Sequence, residues 1–95
     1  MTDSIKKLKS KINPILKRHH VKKAAIFGSF ARGEQKKSSD VDILVKFPGG
    51  KSLFDLIGLK LDLEDKLNKK VDVLTYDSIH PLLRNIILDE QKVIL

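Results

Sequence analysis

The stretch that decides the fold reads Ala24-Ala25-Ile26-Phe27-Gly28-Ser29-Phe30-Ala31-Arg32-Gly33. Its first four residues are all apolar, which is typical of a buried strand, and Gly28 ends the run as at a turn. Ser29 is expected to cap a short helical turn that runs toward Gly33. The stretch therefore predicts a strand, a tight turn and a short helix in immediate succession.

Strands and helices are expected to alternate along the rest of the chain. Residues 41–47 and 70–75 are rich in β-branched and apolar side chains and predict two more strands, and 92–95 is expected to add an edge strand. Apolar side chains at helical spacing predict helices over 52–67 and 81–88.

A first helix is predicted near the start of the chain. Its apolar face is indicated by Ile5, Leu8, Ile12, Ile15 and Leu16. We expect Pro14 to kink this helix or to restart it with Asn13 as a new cap. The elements together predict an α/β (α+β) fold in one domain, residues 1–95, with helices packed on a small mixed β-sheet of three to four strands.

The composition narrows the classes of function. Nineteen Lys and Arg against twelve Asp and Glu give a net charge of +7, which favours acidic or polyanionic partners. Trp is absent and Tyr occurs once, so nucleic-acid binding through stacked bases is weakly supported. Cys is absent, so any metal must have oxygen or imidazole ligands. No run approaches the roughly 18 apolar residues of a membrane span and no secretory signal is evident, so we expect a cytoplasmic protein without membrane contact.

Asp40 and Asp42 lie two residues apart at the start of the second strand, so their side chains are expected to point to the same face. Like charges so close together repel, and the pKa of each carboxyl rises unless a cation intervenes. Mg²⁺ suits a site that combines carboxylates with phosphate oxygens. The alternative is a pair of acids that face solvent and discourage edge pairing, which is the commoner meaning of an isolated pair.

Asp72 interrupts the otherwise apolar third strand. If the second and third strands are neighbours, Asp72 lies beside Asp40 and Asp42, and three carboxylates on adjacent strands make a metal site. In such a site one carboxylate bridges two ions, and the third also draws the proton from an attacking hydroxyl. The alternative is a strand-end acid paired with Lys69 or Lys70.

Gly28 and Ser29 occupy a strand-to-helix turn, where free backbone N–H groups favour an anion such as phosphate. Gly28 allows the backbone to approach closely, the Ser29 hydroxyl can donate to a phosphate oxygen, and Arg32 lies one turn further along. An ordinary capped turn is the alternative for a lone Gly-Ser pair. Gly28 and Gly33 have the spacing of P-loop glycines, but the next two residues are not the lysine and hydroxyl residue that a P-loop requires.

Taken together, residues 28–33 and 39–45 resemble the signature of the DNA polymerase beta type nucleotidyltransferase superfamily. The likeness is greatest to its minimal, single-domain branch, the MNT proteins. It rests on a glycine-serine turn, an arginine-glycine pair and a D-x-D at the expected distance on the next strand. It extends through residues 70–74, which look like the strand that carries the third carboxylate of the family.

The resemblance implies a nucleotidyltransferase-like fold and a role for each group. The expected nucleotide-binding residues are Gly28, Ser29, Arg32 and Gly33. The expected catalytic and metal-binding residues, which would hold two Mg²⁺, are Asp40, Asp42 and Asp72. The implied reaction is the transfer of AMP from ATP to a hydroxyl, and in MNT proteins the acceptor is often a tyrosine of a HEPN-type toxin ribonuclease. The chain would then be the antitoxin.

Two other functions stay open on the sequence. The first is an interaction module that neutralises a toxin by binding alone, with the acids kept for structure or nucleotide sensing. The second is a nucleic-acid-binding module driven by the net charge of +7. The sequence also leaves open the acceptor, the base of the nucleotide and the oligomeric state, and an oligomer is compatible with so small a domain.

Overall fold

The computed structural model describes residues 3–36, 39–49 and 53–95. Within these ranges the elements, in chain order, are α1 (Asp3–Arg18), β1 (Lys23–Phe27), α2 (Ser29–Arg32), β2 (Val41–Lys46), α3 (Leu53–Leu67), β3 (Val71–Thr75), α4 (Pro81–Glu90) and β4 (Lys92–Val93). A 3-10 turn, Tyr76–Ser78, joins β3 to α4. Each predicted strand and helix is present, with bounds that differ by a few residues. The helix predicted from residue 52 is observed from Leu53, since Ser52 lies outside the described residues.

The strands form one mixed sheet in the order β3-β2-β1-β4. β1 is antiparallel to β2 and to β4, whereas β2 and β3 are parallel. The end of β1 and the beginnings of β2 and β3 therefore meet at the same end of the sheet, which we call the site edge. The predicted α/β fold with a small mixed sheet and helices packed on it is confirmed.

Helices cover both faces of the sheet, and alternate strand residues point to each face. α1 and α3 pack on one face, where the fully buried side chains include Ile12, Leu16, Ile26, Val41, Ile43, Val45, Leu59 and Leu63. α4 and the 3-10 turn lie on the other face, with a smaller core of Ala25, Phe27, Leu44, Ile79 and Ile87. The register that buries the valines and isoleucine of β2 against α1 and α3 turns Asp42 toward the other face.

Two local predictions are wrong, namely the restart of the first helix at Pro14 and the cap of the second helix at Ser29. α1 runs without interruption from Asp3 to Arg18 with Pro14 inside it, so the helix does not restart, and the alternative of a kink stays a prediction. An internal proline costs a helix roughly 3 kcal/mol, and here the buried residues on both sides of Pro14 hold the two halves against one core. Asn13 is not a cap, because it lies inside the uninterrupted α1, and its Nδ2 donates to the carbonyl of Ile94 at 3.0 Å.

The second error concerns the start of α2. Gly28, rather than Ser29, is the N-cap of this helix, and no side-chain hydrogen bond caps it. The turn is closed by the backbone, because the N–H of Arg32 donates to the carbonyl of Gly28 at 3.1 Å. None of the described helices is long and apolar enough to cross a membrane.

Candidate active site

The backbone of Gly28 lies directly against the carboxylate of Asp42. Gly28 has φ 74° and ψ −151°, a conformation that is essentially restricted to glycine. A Cβ atom built on Gly28 would overlap the Oδ2 atom of Asp42. Asp42 reaches this position because it stands opposite Phe27, the last residue of β1. Position 28 therefore requires glycine for its backbone conformation and also for the space that glycine leaves.

Asp42 and Asp72 stand side by side on the parallel strands β2 and β3. Burial, the charge of Asp72, a hydrogen bond with the Asp72 side chain and the charge of Asp40 together raise the pKa of Asp42 to about 6. The guanidinium of Arg32 acts in the opposite direction but does not cancel these effects. The site edge therefore carries more negative charge than the neighbouring cation offsets.

The ligands for a divalent cation are present in part. Asp42 and Asp72 are adjacent carboxylates with uncompensated negative charge, which fits a hard cation such as Mg²⁺. Asp40 lies just before β2 and acts on Asp42 through its charge. In the described part of the chain, no three His, Cys, Asp or Glu side chains are arranged to hold a metal ion. The structure thus brings two of the three predicted carboxylates together, and the roles of all three as metal ligands stay predictions.

The guanidinium of Arg32 lies between two acidic side chains. Its Nη1 donates to both carboxylate oxygens of Glu90, each at 3.2 Å, and its Nε donates to Oε1 of Glu34 at 2.8 Å. The hydrogen bond with Glu34 and, to a smaller extent, the hydrogen bond with Glu90 raise the pKa of Arg32. The N–H of Gly28 also donates to Oε1 of Glu90, at 3.2 Å. Two predicted nucleotide-binding residues, Gly28 and Arg32, therefore share one carboxylate.

Ser29 and Gly33 frame the short helix α2. Ser29 is half-buried, and its carbonyl accepts from the N–H of Glu34 at 2.9 Å. Gly33 ends α2 in the left-handed conformation, with φ 73° and ψ 21°, and a Cβ atom there would have no described atom within 4 Å apart from its chain neighbours. Gly33 is thus explained by the helix end that it forms. The predicted contacts of both residues with nucleotide stay predictions.

Glu90 was not predicted from the sequence as part of the site. It lies 62 residues from Gly28 and joins the site because β4, which begins two residues later, pairs with β1. One signal was available: Glu90 is an acid in the last turn of α4, where the helix dipole disfavours negative charge. An acid at such a position indicates a compensating partner elsewhere in the fold.

A separate cleft of about 660 Å³ lies at the opposite end of the sheet. It is lined in part by Lys23, Tyr76 and Arg84, and Lys23 Nζ lies 5.1 Å from the centre of the Tyr76 ring. None of the predicted site residues is among its lining residues. The candidate site is therefore the open site edge and not the interior of this cleft.

Comparison with known proteins identifies the family. Residues 9–94 match the family model described as "Nucleotidyltransferase domain". The chain belongs to this nucleotidyltransferase family. A relative from Methanocaldococcus jannaschii, named "Putative protein adenylyltransferase", is 62% identical over 87 residues, which cover 92% of this nucleotidyltransferase and 94% of the relative. "Protein adenylyltransferase MntA" from Thermococcus cleftensis is 40% identical over 73 residues, covering 77% of the chain and 74% of the relative.

Solved structures agree with the fold. One described as "Structure of putative minimal nucleotidyltransferase" superposes with a TM-score of 0.81 at 34% identity, covering 95% of this nucleotidyltransferase and 92% of that chain. A toxin–antitoxin structure with AMP-PNP superposes with a TM-score of 0.80 at 24% identity, covering 92% and 72% of the two chains, and shows a shared fold alone. The predicted nucleotidyltransferase-like fold is thereby confirmed.

Proposed function

We propose that this nucleotidyltransferase transfers AMP from ATP to a hydroxyl acceptor in a reaction that depends on Mg²⁺. The observation that carries the proposal is the meeting of the Gly28 backbone with the Asp42 and Asp72 carboxylates at the site edge. Phosphoryl transfer needs hydrogen-bond donors that hold the phosphates and acids that bind the metal, because its catalysis is mostly positioning and charge stabilisation. The single domain of residues 1–95 carries both.

In this proposal the residues of the chain divide into two groups. Gly28, Ser29 and Arg32 donate to the phosphate oxygens of ATP, with Gly33 setting the end of the short helix that carries Arg32. The three carboxylates, Asp40, Asp42 and Asp72, hold Mg²⁺, which when bound neutralises developing charge on the phosphates.

Asp72 also takes the proton of the attacking hydroxyl. The hydroxyl oxygen forms a bond to the α-phosphorus, the bond from that phosphorus to the bridging oxygen breaks, and pyrophosphate leaves. The acceptor gains one AMP and the proton remains on the Asp72 carboxylate until it passes to solvent.

The proposed acceptor is a tyrosine of a HEPN-type toxin, which makes this chain its antitoxin. Both relatives named above are called protein adenylyltransferase or putative protein adenylyltransferase, and one of them, MntA, is 40% identical to this chain over the matched region. A structure described as the toxin–antitoxin MntA-HepT shares the fold, with a TM-score of 0.73 at 20% identity. The chain described here contributes the nucleotide site, and the partner contributes the acceptor.

The test combines the purified chain, ATP, Mg²⁺ and a purified HEPN-type toxin. We expect the toxin to become heavier by one AMP, with the modification on tyrosine, and its ribonuclease activity to fall. Asp42→Asn should stop the transfer. Asp65→Asn is the matched control, because it makes the same chemical change at an exposed position of α3. A toxin of unchanged mass in the presence of the wild-type chain would refute the proposed reaction.

A binding-only antitoxin is the second candidate, and exposed apolar side chains on two helices favour it. Large apolar side chains face solvent on α3 and α4, namely Leu53, Phe54, Ile57, Leu61, Leu82, Leu83 and Ile86. Such side chains on a small domain are typical of a surface that a partner covers. If the double variant Asp40→Asn, Asp42→Asn still neutralises the toxin at wild-type levels, this second function is correct and AMP transfer is not needed.

A further inference from the structure

The carboxylate of Glu90 accepts hydrogen bonds from donors that the proposed function reserves for phosphate. We propose that Glu90 is an internal substitute for a phosphate group: it occupies Gly28 and Arg32 when no nucleotide is bound, and it must leave before a triphosphate binds there. Glu90 thereby sets the affinity of the site for nucleotide. This inference rests on the proposed function, because it takes those two residues as part of the ATP site.

The contacts match those that an anion would make. Oε1 of Glu90 accepts from the Gly28 N–H and from Arg32 Nη1, and Oε2 accepts from the same Nη1, all at 3.2 Å. A carboxylate and a phosphate both present negatively charged oxygens to such donors. The side chain of Glu90 is 20% exposed, whereas that of Arg32 is 45% exposed, so the acid is the better shielded partner. A phosphate arriving from solvent therefore competes with a group that is already in place.

The fold holds the backbone of Glu90 close to the turn. Glu90 is the last residue of α4, and β4 follows after Gln91. β4 pairs with β1 in the register Ile26 with Lys92, close to the end of β1 that leads into Gly28. Because α4 and β4 fix the backbone of Glu90, its side chain can leave the donors by a rotamer change without a rearrangement of the sheet.

Two anions cannot share these donors. A triphosphate placed on Gly28 would bring its negative charge against the Glu90 carboxylate, and like charges at contact distance repel strongly when partly shielded from water. The turn itself would lose nothing when Glu90 leaves, because the nucleotide satisfies the same N–H. Arg32 would also keep its second partner, Glu34, whose Oε1 lies 2.8 Å from Arg32 Nε.

The contact of Glu90 with Gly28 and Arg32 should reduce the apparent affinity of the site for nucleotide. When a site is open for only a fraction of the time, the observed dissociation constant equals the intrinsic constant divided by that fraction. An ion pair that is partly exposed is of modest strength, so we expect the closed form to lower the affinity roughly 3- to 10-fold.

The test uses calorimetry to measure how tightly a non-hydrolysable ATP analogue binds, in the presence of Mg²⁺, to the wild type and to two variants, Glu90→Gln and Glu34→Gln. Glu90→Gln keeps the size of the side chain and removes the charge that competes with phosphate. Glu34→Gln is the matched control, since it removes the same charge from beside Arg32 but touches no backbone donor of the turn. We expect the Glu90 variant to bind roughly 3- to 10-fold more tightly than the wild type, and the Glu34 variant to differ by less than about twofold.

A direct readout of the contact accompanies the affinity. In the wild-type protein without nucleotide, the NMR resonance of the Gly28 amide proton should be displaced from its random-coil position, since this N–H is hydrogen-bonded to a carboxylate. The Glu90→Gln variant should change the position of this resonance. Guanidinium unfolding of each variant establishes that the fold is intact.

The outcomes separate the two levels of inference. Unchanged or weaker binding by the Glu90→Gln variant, beside a wild type that binds the analogue, overturns the competition and leaves the proposed function standing. Weaker binding would mean that Glu90 holds Arg32 in place for phosphate. If none of the three proteins binds the analogue, the proposed function itself fails and this inference fails with it.

Discussion

Replacing Asp42 by asparagine should stabilise the metal-free protein at neutral pH although it should also stop the proposed transfer of AMP. The folded-state pKa of Asp42 is raised from 3.8 to about 6. A carboxyl with a raised pKa in the folded state contributes its full stability below the unfolded pKa and loses it as the pH rises through the folded value. Above about pH 6 the wild-type protein therefore carries an ionised carboxylate that its fold disfavours. Asparagine imitates the neutral carboxyl and has no such cost.

The size of the effect follows from the shift. A rise from 3.8 to about 6 corresponds to about 3 kcal/mol at 1.36 kcal/mol per pKa unit. Asp42 is only partly buried, and solvent screening reduces the free-energy difference to about 1–2 kcal/mol. With a guanidinium slope of about 4 kcal/mol per molar for a domain of this size, the unfolding midpoint should rise by roughly 0.3–0.5 M.

The assay is guanidinium unfolding, followed by circular dichroism in a chelating buffer, of the wild type, Asp42→Asn and the control Asp65→Asn. At pH 8 the Asp42 variant should have the highest midpoint, and at pH 4 most of its advantage should disappear. Adding Mg²⁺ at pH 8 should stabilise the wild type and leave the Asp42 variant almost unchanged. Equal midpoints at pH 8, or an advantage that persists at pH 4, would show that the pKa of Asp42 is not raised in the folded protein.

Three further predictions test other parts of the molecule. Gly28→Ala should cost at least about 1–3 kcal/mol of unfolding free energy and abolish transfer. Gly33 also has a positive φ, but a Cβ atom there meets no described side chain, so Gly33→Ala should cost only about 1 kcal/mol. Similar losses for the two variants in unfolding experiments would contradict the close approach at position 28. The hydrogen bond with His19 lowers the pKa of Asp62, so Asp62→Asn should destabilise the protein above about pH 4 and progressively less as the pH falls below it. An Asp62 effect that does not depend on pH would contradict this ion pair. Leu63→Ala, at a fully buried position of α3, should cost about 2–5 kcal/mol in unfolding, and a smaller loss would mean that the core collapses around the cavity.

Local sequence patterns were sufficient to predict the elements and the positions of Gly28, Asp42 and Asp72 in the candidate site. The strand before Gly28 and the strand after Asp40 are short apolar runs bounded by turn residues, and such runs depend on side chains that are neighbours in sequence. The side of β2 that carries Asp42 was predictable for the same reason, because burying the alternate residues fixes the register. The convergence of Asp42 with Asp72 was predicted only on the condition that their strands pair, and the structure confirms that pairing.

Contacts between distant parts of the chain were not predictable in this way. Glu90 reaches Gly28 across 62 positions, and Asn13 reaches Ile94 across 81. Each contact exists because β4 joins the edge of the sheet, and nothing in the local sequence around either residue specifies that neighbour. The uninterrupted helix across Pro14 has the same origin, since tertiary packing against the sheet outweighs the local preference of proline.

The parallel pairing of β2 with β3 divides the site between two halves of the polypeptide. Gly28, Arg32 and Asp42 precede the connection between β2 and α3, whereas Asp72 and Glu90 follow it. Neither the fragment 1–49 nor the fragment 53–95 would hold the whole set of proposed catalytic groups, although each contributes two strands to the same sheet. Fused to two proteins that bind each other, the fragments would regain transfer only on reassembly, which would turn this small domain into a complementation sensor for molecular proximity.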